Sequence, residues 1–210
     1  ILAGNLMSKF AKIISSGSYL PERILTNKEL EGIVDTTDEW IIERTGIKER
    51  RVSSDDETSV DMAFQASIDA IDKSGIKKDE IGAIFLATCT PERKFPSTAV
   101  LLQNRLNIKN AFSVDLNAAC TGFVYALDIA KKYIESEEVK YALVVGTEKI
   151  TSLLDWTDRN TCVLFGDGAG AMVVGCSATP GILSSTIGSD GSVSYTHLRA
   201  HETPEHRGWR

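Results

Sequence analysis

Apolar side chains recur at helical spacing in "DETSVDMAFQASIDAIDKSG" (56–75). Val60, Ala63, Phe64 and Ile71 share one face, and Gly75 supplies a stop. The next apolar run, "IGAIFLAT" (81–88), is short and has no polar face, which predicts a buried strand. The pattern then repeats: "TAVLLQNRLNI" (98–108) reads as a helix, "AFSVDL" (111–116) as a strand, and Pro91 and Pro96 bracket the loop "TPERKFPS" between the first strand and the helix. From Gly122 onward the chain is apolar nearly all round, with Phe123, Val124, Ala126, Leu127, Ile129 and Ala130; Lys131, Lys132 and Glu135 come only later. That predicts a helix largely buried at its start. "KYALVVGTE" (140–148) and "AGAMVVGC" (169–176) are β-branched strand-like runs, and "GILSSTIGSD" (181–190) reads as a last strand.

Ahead of these, "AKIISSGSYLP" (11–21) reads as a strand and a turn. Thr26 and Glu29 stand at capping-box spacing, which predicts a short helix. "DTTDEWIIERTGI" (35–47) predicts a second short helix, with acidic residues in its first turn and Gly46 as its stop. Alternating strands and helices imply an α/β fold. The body is expected to span 11–191. Residues 1–10 read as an N-terminal extension in which Met7 is the native start. Residues 192–210 have no sustained apolar period and read as an unrelated, unpacked tail.

A chain of 210 residues that is 42% hydrophobic and 25% charged is neither disordered nor collagen-like. Its net charge of −6 leaves no chain-wide footprint for nucleic acid or an anionic membrane. The densest basic cluster, "KERR" (48–51), is a local candidate for holding a phosphate. No apolar run reaches membrane-span length and no secretory signal is readable. Cys89, Cys120, Cys162 and Cys176 show neither C-x-x-C nor metal-ligand spacing, so the chain reads as a reduced cytoplasmic protein with free thiols.

Cys120, in "NAACTG" (117–122), stands where a strand gives way to a helix. A helix N-terminus helps a thiol ionise, small neighbours leave room for a substrate, and the Cys120 N–H could steady an oxyanion. Against this, free cysteine is most often inert packing, the reading that fits Cys162 and Cys176 in their apolar strand-like runs. Cys89, at a strand end, stays open. "GDGAGA" (166–171) has the form of a dinucleotide fingerprint but is followed by a strand-like run rather than a helix. Its glycines read as a tight turn and close backbone packing. His197, His201 and His206 are the only histidines, and they lack the clustered partners a metal site needs. A papain-like thiol hydrolase would need a histidine within the body.

"GSYLPE", "VDTTDEWIIERTGIKERR", "AACTGF", "YALVVGTE", "DRNT" and "FGDGAGA" occur in the order and spacing of β-ketoacyl-acyl carrier protein synthase III, which the chain resembles from about Ala11 to Gly191. That family starts bacterial type II fatty-acid synthesis. The resemblance implies a thiolase-like fold, of which this chain would be the N-terminal half of a layered αβαβα architecture. It implies that Cys120 takes an acyl group, usually acetyl, from acyl-CoA, and that malonyl-acyl carrier protein then loses carbon dioxide and attacks the acyl-cysteine. Trp40 and Arg44 match residues that sandwich the coenzyme A adenine; without the resemblance they read as a buried anchor and a solvated charge. Thr36 matches a polar contact to that nucleotide, Arg159 a second arginine beside it, and Phe165 a pocket-lining position. Phe95 matches a loop residue that reaches into the neighbour's acyl pocket in the family's homodimer. Acyl-CoA is the substrate, and no separate cofactor or metal is implied. The family's catalytic histidine and asparagine, with its G-N-T-S-A and C-terminal G-G-G-x-x-W-G segments, have no match here. The chain is therefore expected to be truncated and largely inactive in condensation. The alternatives are a non-catalytic fragment that at most binds coenzyme A, or a related thiolase-fold acyltransferase.

Overall fold

The computed structural model describes residues 10–191. The tail, its histidines and all of the N-terminal extension except Phe10 lie outside the described residues. The chain runs β1 (Phe10–Tyr19), β2 (Arg23–Thr26), α1 (Asn27–Leu30), α2 (Asp38–Thr45), β3 (Glu49–Val52), α3 (Ser59–Ser74) and β4 (Ile81–Ala87). It continues through α4 (Thr98–Leu106), β5 (Phe112–Leu116), α5 (Gly122–Glu135), β6 (Tyr141–Lys149), α6 (Arg159–Cys162) and β7 (Asp167–Ser177). These elements fall into two units, one holding residues 10–20, 55–148 and 168–186, the other 21–54, 149–167 and 187–191.

The first unit is built on a five-stranded sheet in the order β1-β7-β6-β4-β5. β4 pairs in parallel with both β5 and β6, and β1 pairs antiparallel with β7. Alternate residues of β4 feed opposite cores. Ile84 and Leu86 pack with Ala63, Ala66 and Ala70 of α3 and with Leu102 and Leu106 of α4. Ala83 and Phe85 pack with Ala126, Ala130 and Ile134 of α5. A strand covered on both faces reads as a continuous apolar run, which is why no polar alternation shows in its sequence.

α3 begins at a capping box formed by Thr58 and Asp61 and ends at Gly75, whose φ of 70° lies in the left-handed region. Its alanines let β1 approach closely. A Cβ on Gly17 would stand 2.3 Å from the Ala66 carbonyl oxygen and 2.4 Å from the Ala70 nitrogen.

The second unit has an antiparallel pair, β2 and β3, with α1 and α2 between them in sequence. Leu25, Leu30, Ile41, Val52, Cys162 and Val163 form its core, with Trp40 and Trp156 packed against it. The Thr26–Glu29 capping box and the Gly46 stop are both present.

Some expectations are corrected. Residues 181–190 form no strand. Ile182 N–H donates to the Ala11 carbonyl at 2.8 Å, the Ser185 hydroxyl bonds the Asp128 carboxylate, and Leu183 is left 82% exposed. Side-chain hydrogen bonding of this kind competes with a ladder. Cys162 lies in α6 rather than in a strand, although it is buried as a packing cysteine should be. "GDGAGA" enters β7 directly, so its glycines serve close packing: a Cβ on Gly166 would come within 2.8 Å of the Arg51 carbonyl oxygen. Val124, in the first turn of α5, is 48% exposed, because the sheet covers only one side of a helix that is apolar all round.

Gly17→Ala is expected to lower stability by about 1–3 kcal/mol through forced overpacking of β1 on α3. Urea unfolding checks this, and an unchanged midpoint would show that the contact yields freely.

Candidate functional site

Cys120 is placed by a sharp turn between β5 and α5. Asp115, near the end of β5, accepts from the N–H groups of Thr98 and Ala99 at 2.8 and 2.7 Å, tying the start of α4 to the strand. The chain then turns through Ala118, at φ −142° and ψ 38°, into a single 3-10 turn over Ala119–Thr121. Ala119 has a φ of 47°, a left-handed value that costs a residue with a Cβ on the order of 1–2 kcal/mol. Thr121 closes the turn by donating to the Ala118 carbonyl from its N–H at 3.2 Å and its hydroxyl at 2.7 Å. A Cβ on Gly122 would meet the Ala87 Cβ at 3.1 Å, so α5 starts hard against the end of β4. The thiol of Cys120 is thereby exposed at the head of a 14-residue helix rather than sunk in its core.

The neighbouring strand ends supply a second group of residues. Cys89 N–H donates to one Glu148 carboxylate oxygen at 2.7 Å, and the Thr90 hydroxyl donates to the other at 2.6 Å. The Cys89 thiol lies 3.6 Å from the Asn117 side-chain oxygen, on the same turn as Cys120. Burial, and after it the charge of Glu148, push the Cys89 thiol above its ordinary pKa. Periodicity left Cys89 open and passed over Glu148. The one available signal was a carboxylate at the end of an otherwise apolar strand. Phe95, on the loop between β4 and α4, is 82% exposed.

In the second unit an aromatic ring meets two cations. Trp40 and Arg44 lie on α2, whose N-cap Thr37 accepts from the Trp40 N–H at 3.1 Å. Arg159 opens α6, capped by the Asp158 side chain. The Arg159 guanidinium carbon stands 4.0 Å from the Trp40 ring centroid, and that of Arg44 stands 5.0 Å away. Both distances suit cation–π attraction. Among the described residues, the buried Nε of Arg159 and the hydroxyl of Thr36, itself only 8% exposed, have no hydrogen-bond partner. Leaving such groups unpaired in an interior costs about 1–3 kcal/mol each. Phe165 is half-buried just ahead of β7. The "KERR" cluster does not act as one basic patch. Arg50 is buried and bonds the Val163 carbonyl and Asn27, and Arg51 donates to the Pro21 carbonyl at 3.1 Å.

The sequence-predicted residues thus gather by unit. Arg44 and Arg159 each stand against the Trp40 ring, Cys120 stands on its own turn beside Cys89 and Asn117, and Phe95 projects into solvent.

A family model described as 3-oxoacyl-[acyl-carrier-protein (ACP)] synthase III matches residues 114–191, the stretch that contains Cys120. The β-ketoacyl-[acyl-carrier-protein] synthase III of Xanthomonas oryzae pv. oryzae is 52% identical over 188 residues, which cover 89% of this chain and 58% of that one. Along most of its length the chain is similar to the β-ketoacyl-[acyl-carrier-protein] synthase III family. A solved member, 3-oxoacyl-[acyl-carrier-protein] synthase III from Aquifex aeolicus, superposes with a TM-score of 0.78 at 53% identity over 80% of this chain and 54% of its own. The priming β-ketosynthase of the R1128 polyketide pathway superposes with a TM-score of 0.85 at 42% identity over 88% and 55%. The fold of this chain is therefore thiolase-like, and it spans about 58% of the length of the curated relatives it matches. Among its described residues, no helix is long and apolar enough to cross a membrane, and no group of His, Cys, Asp or Glu side chains is arranged to hold a metal ion.

Limited iodoacetamide near neutral pH is expected to label Cys120 about tenfold faster than Cys89 or Cys162, whose thiols burial pushes up. Peptide mass mapping over time reads the order; labelling of Cys162 first would contradict the placement.

Proposed function

We propose that this chain supplies the nucleophile and the coenzyme A cradle of a β-ketoacyl-acyl carrier protein synthase III. The observation that carries the reading is the exposed Cys120 on its left-handed turn at the head of α5. The Cys120 thiolate attacks the acyl-CoA carbonyl, its own N–H steadies the oxyanion, and coenzyme A leaves as a thiolate that takes up a proton. An acyl-cysteine remains. In the complete reaction malonyl-acyl carrier protein loses carbon dioxide, and the resulting enolate attacks that thioester.

The nucleotide part of the substrate falls to the second unit. The Trp40 ring with the guanidiniums of Arg44 and Arg159 suits the flat face of an adenine, and the unpaired Thr36 hydroxyl and Arg159 Nε suit its polar groups. Phe165 and Phe95 serve the acyl pocket, Phe95 from the other subunit of a homodimer, which is the use its exposure favours. No histidine precedes His197. Enolate stabilisation by an imidazole is therefore assigned outside residues 10–191, and the tail histidines, which stand in no matching motif, are expected not to supply it.

A second reading, coenzyme A binding without acyl transfer, is favoured by the Trp40–Arg159 contact, which is complete within one unit.

Incubation with acetyl-CoA is expected to release up to one equivalent of coenzyme A thiol per chain, to be abolished in Cys120→Ala, and to show no further turnover when malonyl-acyl carrier protein is added. Steady condensation by the 210-residue chain would overturn the assignment of the missing groups. No thiol release, with coenzyme A still bound, would favour the second reading. Trp40→Ala is expected to weaken coenzyme A binding by about 1–2 kcal/mol, measured by calorimetry.

A further inference from the structure

We propose that Arg50 and Asn27 are positioning residues for the nucleotide cradle, setting the separation of α2 and α6, the two helices that carry Trp40 and Arg159. The proposal rests on the reading of that stack as the coenzyme A nucleotide site. Arg50 is 4% exposed. Its Nε donates to the Val163 carbonyl at 2.9 Å, its Nη2 bonds the same oxygen, and its Nη1 donates to the Asn27 side-chain oxygen at 2.6 Å. These acceptors are neutral. A guanidinium buried against neutral acceptors adds little stability over an apolar side chain of similar size, whereas its rigid fork fixes geometry.

What the fork joins decides the matter. Val163 is the C-cap of α6, a single turn that opens with Arg159. Asn27 passes the link on, donating from Nδ2 to the Asp38 carboxylate at 2.8 Å and to the Ile47 carbonyl at 2.8 Å. Asp38 is the first residue of α2, and Ile47 follows its Gly46 cap. One buried relay therefore grips α6 at its end and α2 at both ends, without using the Trp40 ring. The grip matters because the cation and the ring are 4.0 Å apart, while a flat base between them needs about 7 Å, two stacking distances. The Arg159 side chain must swing while its helix stays anchored. A loosened anchor leaves the base without a fixed second wall.

The test is calorimetry on the 210-residue chain with two probes, coenzyme A and pantetheine, which keeps the thiol arm and lacks the nucleotide. Wild type is expected to prefer coenzyme A. Arg50→Lys, which loses the fork, is expected to weaken coenzyme A binding about tenfold and leave pantetheine binding unchanged. Asn27→Ser is expected to do the same, and it serves if Arg50→Lys does not fold, as judged by thermal unfolding. Unchanged coenzyme A affinity in a folded variant, or an equal loss for both probes, would overturn the positioning role and leave the cradle standing. A wild type that does not prefer coenzyme A would overturn the cradle itself, and the inference with it.

Discussion

Parallel pairing on both sides of β4 is the constraint from which the nucleophile's setting follows. Ala87, the last residue of β4, lies opposite Leu116 of β5 and Gly146 of β6. The chain must leave these strands at the same edge of the sheet. Thr88 to Thr90, the Cys120 turn and Glu148 are therefore neighbours, though far apart in sequence. Open α/β sheets place ligands at the carboxyl ends of their strands for this reason. Gly122 and Ala119 then do the local work, one letting α5 start against β4 and the other taking the left-handed turn that presents the thiol.

The second unit is organised by polar groups rather than by a sheet. Its core is small, and buried hydrogen bonds specify where its short elements go. Asp167 is an example: its carboxylate accepts from the N–H and hydroxyl groups of both Ser53 and Thr151, pinning two loops to the start of β7. The Arg50 relay works in the same way on the helices that carry Trp40 and Arg159. Fully satisfied networks of this kind favour one arrangement over near alternatives.

Elements with local signals were readable in the sequence. α3 shows its apolar face and its glycine stop, and β4 shows a short, wholly apolar run that reads as a buried strand. The strand-to-helix setting of Cys120 was legible too, and the spacing of several motifs carried the family. β2 and β3 were not legible, since strands of four residues carrying Arg23, Glu49, Arg50 and Arg51 have no apolar period. Arg50 read as part of a basic cluster for holding a phosphate, because burial by partners distant in sequence leaves no local mark. Glu148 was passed over although it is a carboxylate near the end of an otherwise apolar strand, because its partners Cys89 and Thr90 are distant in sequence. The exposure of Val124 and the irregular course of 181–190 depend on which surfaces the sheet covers, and no single segment encodes that.

The most direct measurement is to map the acyl group after acetyl-CoA is mixed with the wild-type chain and the protein is digested under conditions that keep thioesters intact. One acetyl group on the peptide carrying Cys120, removed by hydroxylamine, is the expected result. Acetylation at Cys89 instead, or an unmodified Cys120 peptide, would contradict the claim that the β5–α5 turn presents the nucleophile.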